Sequence, residues 1–262
     1  MLLDNRNAIV YGGGGPVGGA VARAFAREGA TVFLTGRTGA TLDTVAGDIA
    51  AAGGRVETAV LDALDETAVD DHAEAVARDA GGIDVSFNTI GHGDVHGAPV
   101  VEMPYEDFAR PVTTALRAQY LTARAAARHM APRRSGVIMA ITATTARLAV
   151  PQVGGTGVTF DAIESLCRQL ASELGPHGLR VVWLQTTGLP EALQQGDELT
   201  SDYGTGRRLT REEHIAWMRS GTMLNRLTTL ADVGNAAVFV ASDHAAPITA
   251  TGINLTCGSV PG

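Results

Sequence analysis

An α/β fold, with a doubly wound parallel sheet of about seven strands and helices on both faces, is predicted by three observations. The stretch Ala8 to Ala20, AIVYGGGGPVGGA, joins an apolar run to a glycine-rich turn and then to apolar residues at helical spacing. Strand and helix patterns then alternate with short turns, as right-handed βαβ units do. A chain of 262 residues is also long enough for one sizeable α/β core, so 1–262 is expected to be a single domain.

The elements can be justified in order. Ala8-Ile9-Val10-Tyr11 suits a buried parallel strand, and the helix from Val17 repeats apolar residues at Val21, Ala22, Phe25 and Ala26. Thr31 to Thr35 is β-branched and aromatic and reads as a second strand, followed by a helix over residues 40–52. Val56 to Leu61 is a third strand, residues 66–79 a helix, and Ile83 to Asn88 a fourth strand entered through Gly81-Gly82. A long helix runs from Tyr105 to about Met130, where Pro132 and the residues to Gly136 end it. Val137 to Ile141 is a fifth strand, about Phe160 to Leu174 a helix, and Val181 to Leu184 a sixth strand. Residues 189–224 are polar and glycine-rich and read as a substrate loop or lid. A helix at 230–241 and the strand Ile253 to Leu255 complete the chain.

Composition excludes several classes. Hydrophobic residues make up 45% and charged ones 18%, with 32 glycines, which describes a globular chain. A net charge of -8 argues against nucleic-acid binding, since phosphate recognition relies on Lys and Arg. No apolar run reaches membrane-spanning length, and Asp4, Asn5 and Arg6 before the first strand do not form a signal peptide. The two cysteines, Cys167 and Cys257, form no metal-ligand pair, and a reduced cytoplasmic protein is the simplest reading.

The glycine turn reads as a pyrophosphate cradle, because glycine permits positive φ and close approach while the helix start offers unpaired N–H groups. At the end of the second strand, an acid would bind the ribose 2′-hydroxyl and an arginine a 2′-phosphate. The residues there are Gly36, Arg37 and Thr38, with no acid before Asp43, which favours NADP(H) over NAD(H). The other reading of Arg37 is a solvated loop cation. Asp62, closing the third strand, either faces an adenine amino group or caps the helix near Glu66. His92, Asp94 and His96 alternate in a glycine-bearing loop that lacks the rigid geometry of a metal site, so no metal is expected and the loop is read as the substrate mouth.

Across almost its full length the chain resembles the classical short-chain dehydrogenase/reductase family, whose fold is Rossmann-like. The resemblance rests on YGGGGPVG against T-G-x-x-x-G-x-G, Arg37, Asp62, Asn88-Thr89-Ile90-Gly91 against N-N-A-G, Leu170-Ala171-Ser172-Glu173-Leu174 with Gly178-Leu179-Arg180-Val181, and Ala231 to Ala236. It implies an oxidoreductase acting on a small molecule, an NADP(H) site and a homodimer or homotetramer through the helices beginning near Tyr105 and Phe160. The cofactor positions it implies are Gly12, Gly14, Gly15, Pro16, Val17 and Gly18 in the cradle, then Arg37, Thr38, Asp62 and Ala63. They continue through Asn88, Thr89, Ile90, Gly91, Thr187 and Gly188. Pro16 stands where the family usually has its middle glycine; it removes an N–H and fixes φ, so the turn is expected to differ locally.

The family's proton relay is absent. Its tyrosine and lysine positions fall on Thr156 and Phe160, its serine position on Ala143 and its asparagine position on about Ala115. Residues 136–180 contain no tyrosine and no lysine. Thr142, Thr144 or Thr145 are the candidates to hydrogen-bond a carbonyl, and His92, His96, Asp161 or Tyr120 to supply a proton; Thr156 is a further catalytic candidate through its hydroxyl, which is a poor general acid near neutral pH. Each has a structural alternative: a turn cap for the threonines, a helix N-cap for Asp161, an interface residue for Tyr120 and a solvated loop role for the histidines. Two functions follow. One is an NADP(H)-dependent oxidoreductase with a non-standard site, acting on an activated carbonyl, enone or imine. The other is a non-redox protein of this fold, a ligand-binding or assembly partner, or a cyclase or isomerase.

Overall fold

The computed structural model describes residues 1–193, 203 and 209–261. One sheet of seven parallel strands organises it: β1 (Asn7–Tyr11), β2 (Thr31–Gly36), β3 (Arg55–Val60), β4 (Val85–Asn88), β5 (Gly136–Ala143), β6 (Leu179–Thr186) and β7 (Thr251–Leu255), in the order β3-β2-β1-β4-β5-β6-β7. The order reverses at β1, which pairs with both β2 and β4 and so opens a crevice at its carboxyl end.

Strand residues alternate between two cores. Ala8 and Val10 of β1, Val32 and Leu34 of β2, Val137 and Met139 of β5, and Val182 and Leu184 of β6 face one layer, formed by α1 (Pro16–Arg27), α2 (Gly39–Ala51) and α7 (Leu230–Ala241). Ile9 and Tyr11, Phe33, Ile138 and Ala140, and Val181 and Trp183 face the other, formed by α3 (Glu66–Asp79), α4 (Tyr105–Met130) and α5 (Thr156–Leu174). A strand buried on both faces needs apolar residues at successive positions, and this explains the unbroken runs in the sequence. The edge strand β3 is mostly exposed, with only Val56 and Ala59 partly covered.

The sequence-based bounds hold for most elements, with local differences. The fourth strand begins at Val85 instead of Ile83, because Asp84 turns its carboxylate onto the Asn7 amide (2.8 Å) and Arg133 (3.1 Å) at the strand's entry. β7 starts at Thr251, two residues before Ile253. The larger difference is α5, which starts at Thr156, one turn before Phe160, so Asp161 lies inside the helix and is not its N-cap.

At α3 the capping residue is Asp65, whose carboxylate accepts from the Ala68 amide at 3.1 Å; Asp62 is not the cap and accepts instead from the Leu64 amide at 3.0 Å. Asp65→Ala is therefore expected to cost about 1 kcal/mol, lowering the thermal midpoint by roughly 2–4 °C. A calorimetric scan checks this, and Asp62→Ala serves as the contrast, with less than half that loss.

Candidate active site

The crevice is built first by the glycine turn. The amides of Gly12 and Gly13 both donate to the Thr35 carbonyl, at 3.0 and 2.9 Å, and pin the turn to β2. Gly12 has φ +78°, and a Cβ there would lie 2.9 Å from the Thr89 carbonyl oxygen. A Cβ at Gly18 would meet the Gly12 carbonyl oxygen and lie 2.7 Å from Thr89 Oγ1, which itself donates to the Tyr11 carbonyl at 2.8 Å. Both positions require glycine, one for its dihedral and the other for close helix–strand contact.

α1 begins at Pro16 with Gly15 as its N-cap and no side-chain cap. Proline occupies the first helical position, where its φ is already helical and its missing N–H costs no intrahelical bond, though it leaves the cradle one amide donor fewer. The following amides, of Val17 and Gly18, have no acceptor one turn back, and the positive end of the helix dipole adds to their pull on an anion.

A cavity of about 310 Å³ opens over this turn. It brings together Gly12, Gly14, Gly15, Arg37, Thr38, Asp62, Ala63, Thr89, Ile90 and Gly91, all predicted from sequence, and adds Gly36, Thr41, Leu64 and Thr114, which were not. Thr41 is placed there by the first turn of α2, where its hydroxyl donates to the Thr38 carbonyl at 2.9 Å. Arg37 and Thr38 are exposed at the rim.

Other predicted positions do not line the cavity. Asn88 is buried and structural: its carboxamide donates to Thr122 Oγ1 (3.0 Å) and accepts from the Ile90 amide (2.9 Å), tying β4 to α4. Thr187 is buried, donating to the Gly188 carbonyl at 3.0 Å and paired with Thr228 Oγ1 at 3.1 Å. Gly188 packs beneath Met218 of α6 (Arg211–Ser220).

Beyond Gly91, the loop through His96 meets α5. His96 Nε2 lies 3.0 Å from Thr156 Oγ1, and Thr156 is buried in the first turn of α5. One turn on, Phe160 meets the edge of the His92 ring with centroids 5.2 Å apart. Among the described residues neither His92 ring nitrogen has a hydrogen-bond partner, and Nε2 is 4.0 Å from Asp94 Oδ2. Burial holds both imidazoles below the ordinary histidine range, with Asp94 opposing the shift.

The threonines after β5 divide. Thr142 is buried and its hydroxyl donates to Glu164 Oε1 at 3.2 Å, so it serves the core side of the strand. Thr144 and Thr145 form the turn Thr144–Ala146; the Thr144 carbonyl accepts from the amides of Arg147 and Leu148, and the buried Thr145 hydroxyl has no hydrogen-bond partner among the described residues. Asp161 is exposed on α5, and Tyr120 is half exposed on α4 with Arg124 stacked over its ring, 5.9 Å from the centroid. Ala115 and Ala143 carry no polar side chain into the site.

The expected lid at 189–224 includes α6, which begins at the capping box Thr210-Arg211-Glu212-Glu213. Residues 194–202 and 204–208 lie outside the described residues. Tyr203 sets its hydroxyl 3.5 Å from His96 Nδ1 and stacks on His214 of α6, with centroids 4.6 Å apart. Among the described residues no group of three His, Cys, Asp or Glu side chains is placed to hold a metal ion, and no helix is long and apolar enough to cross a membrane.

Comparison with known proteins agrees with this architecture. Residues 15–259 match the family described as Enoyl-(Acyl carrier protein) reductase. Gluconate 5-dehydrogenase of Gluconobacter oxydans (strain 621H) is 31% identical over 240 residues, spanning 92% of this chain and 89% of that one. L-rhamnose 1-dehydrogenase (NAD(P)(+)) of Azotobacter vinelandii (strain DJ / ATCC BAA-1303) is 31% identical over 256 residues, with 95% and 94% covered. The solved structure of NAD+-bound xylitol dehydrogenase superposes with a TM-score of 0.90 at 23% identity over 98% of this chain and 100% of its own, a likeness of fold.

Proposed function

The chain belongs to the classical short-chain dehydrogenase/reductase family of oxidoreductases, and from that premise we propose that it binds NADP(H) and acts on a small molecule bearing an activated carbonyl, enone or imine. The observation that carries the reading is the single cavity joining the glycine turn to Arg37 and Thr38, with no carboxylate at the end of β2.

The cradle fits the group. Gly12, Gly14 and Gly18 stand where a Cβ would collide with Thr89, Thr41 or the Gly12 carbonyl, the first amides of α1 are free to meet an anion, and Arg37 at the cavity rim supplies a cation that would pair with a 2′-phosphate. Asp62 and Ala63 line the same cavity and would face the adenosine of the bound cofactor. When bound, NADP(H) supplies the hydride; the chain's work is to orient it, exclude water and manage a proton.

The reading extends to a homodimer or homotetramer through α4 and α5, supported by the exposed Tyr120 and Val158 on those helices. It also places the protein in the reducing cytoplasm, supported by two free cysteines, Cys167 and Cys257.

Consumption of NADPH across a panel of activated ketones, enones and imines is the test, run beside direct titration of NADPH binding. Turnover of at least one class is expected. Tight NADPH binding without turnover of any of them would favour the non-redox alternative, for which the loss of the tyrosine and lysine at Thr156 and Phe160 already speaks; failure to bind NADPH at millimolar concentration would remove the cofactor reading altogether.

A further inference from the structure

The cluster around His96 is organised like proton-transfer machinery. Thr156 is buried, and its hydroxyl is within hydrogen-bond reach of one ring nitrogen of a half-buried histidine on a loop sixty positions earlier in the chain. That histidine's other ring nitrogen meets the Tyr203 hydroxyl at 3.5 Å, and the Tyr203 ring stacks on His214, with Trp217 beyond it. The loop carrying His96 leaves the nucleotide cavity at Gly91, and the hydroxyl stands at the entry to α5, beyond the carboxyl end of β5, which is the end of the sheet where ligands bind in such folds. A hydroxyl held in hydrogen-bond reach of an imidazole at that end of the sheet is an arrangement that can serve as a general acid–base couple.

We infer that Thr156 and His96 together move the substrate's proton, the threonine hydroxyl touching the substrate oxygen and the imidazole accepting or returning the charge. The inference rests on the oxidoreductase reading above. In the direction of alcohol oxidation, the substrate O–H bond breaks as a new O–H bond forms to Thr156 Oγ1. The threonine's own proton passes to His96 Nε2, and the imidazole becomes imidazolium. The two electrons leave the carbon as hydride to the oxidised nicotinamide cofactor of the proposed function. In the direction of reduction every bond is reversed, and the imidazolium is the proton source. Threonine itself is a poor acid or base near neutral pH, but as a conduit it need only exchange one proton for another.

The charge environment sets the direction of the pH dependence. Burial lowers the His96 pKa from the usual value near 6.5, Asp94 raises it in opposition, and His214 and Tyr203 face the ring from the lid side. The imidazole is then neutral at neutral pH and ready to accept a proton. Oxidation is expected to rise with pH through this lowered value and to level off by neutrality, while reduction falls over the same interval.

Three variants of the 262-residue chain, His96→Asn, Thr156→Val and Thr156→Ser, test the pair. The first two are expected to lose about 100-fold in kcat with KM and NADPH affinity within about twofold, and serine to recover to within about tenfold of wild type. The pH limb is expected to vanish in His96→Asn. Independently of turnover, nitrogen NMR of the cofactor-free protein labelled at histidine should find neutral His96 protonated on Nδ1, with an unprotonated Nε2 that shifts in Thr156→Val. Wild-type rates in both His96→Asn and Thr156→Val, or a neutral ring protonated on Nε2, would overturn the inference and leave the oxidoreductase reading standing. A wild-type protein that binds NADPH but turns nothing over would overturn both.

Discussion

Arg37→Asp is expected to weaken NADPH binding by roughly 100-fold while leaving NADH affinity within a few-fold of its starting value. Arg37 follows β2 directly and lines the cavity beside Gly36 and Thr38, and Thr41 stands in the first turn of α2. A guanidinium paired with a phosphate contributes on the order of 1.5–3 kcal/mol through charge-assisted hydrogen bonds. Replacing it with a carboxylate removes that attraction and adds repulsion, and each 1.4 kcal/mol changes affinity about tenfold. The residue is exposed, so salt screens the interaction, and the contrast between the two cofactors should narrow as ionic strength rises. NADH lacks the phosphate and is indifferent to the lost cation; a carboxylate can instead bind its ribose 2′-hydroxyl. Calorimetric titration of both cofactors decides the matter. If NADPH and NADH weaken equally, Arg37 is a general solvated cation and the preference for NADP(H) has no basis at this position.

The order of strands and helices was legible because each layer imposes a period. Val10 and Ile9 go to opposite cores, so β1 has to be apolar throughout, whereas the helices repeat apolar residues every third or fourth position. The cradle was legible for a related reason: Gly12 and Gly18 answer to local demands of dihedral and contact, which glycine alone meets. α5 begins at Thr156, one turn before the expected Phe160; its N-cap, Gly155, carries no capping side chain to mark the start in the sequence. Legibility ended where chemistry depends on distance across the fold. His96 and Thr156 were each candidates, but nothing in their spacing tells that one ring nitrogen meets the other's hydroxyl. Glu164 was missed altogether: within an apolar helix pattern its position reads as core, and its partners come from β5, β6 and the turn after β5.

Glu164 is where the fold and the candidate site are expected to be most sensitive to a single substitution. It follows Thr156 and Phe160 at successive intervals of four on α5 and is fully buried. Its Oε1 accepts from Thr142 Oγ1 at 3.2 Å and Gln185 Nε2 at 3.3 Å, and its Oε2 pairs with Arg147 Nη2 at 2.9 Å. One carboxylate thus joins α5 to two central strands and to the end of the turn that carries Thr144 and Thr145. Glu164→Leu fills the volume but leaves the Thr142 hydroxyl and Gln185 carboxamide without their shared acceptor, at about 1–3 kcal/mol for each buried polar group. Arg147 is half exposed and can turn to water, so its charge adds little to the loss. The expected total is about 2–6 kcal/mol, a fall of roughly 5–20 °C in the thermal midpoint. Glu164→Gln keeps an acceptor oxygen for Thr142 and should recover at least half of the stability. Urea denaturation of the two variants separates the possibilities: equal losses would mean the carboxylate's charge dominates, and no loss in either would mean these hydrogen bonds do not hold the turn. Because α5 also carries Thr156, the leucine variant should disturb the His96 resonance even under conditions where the protein remains folded.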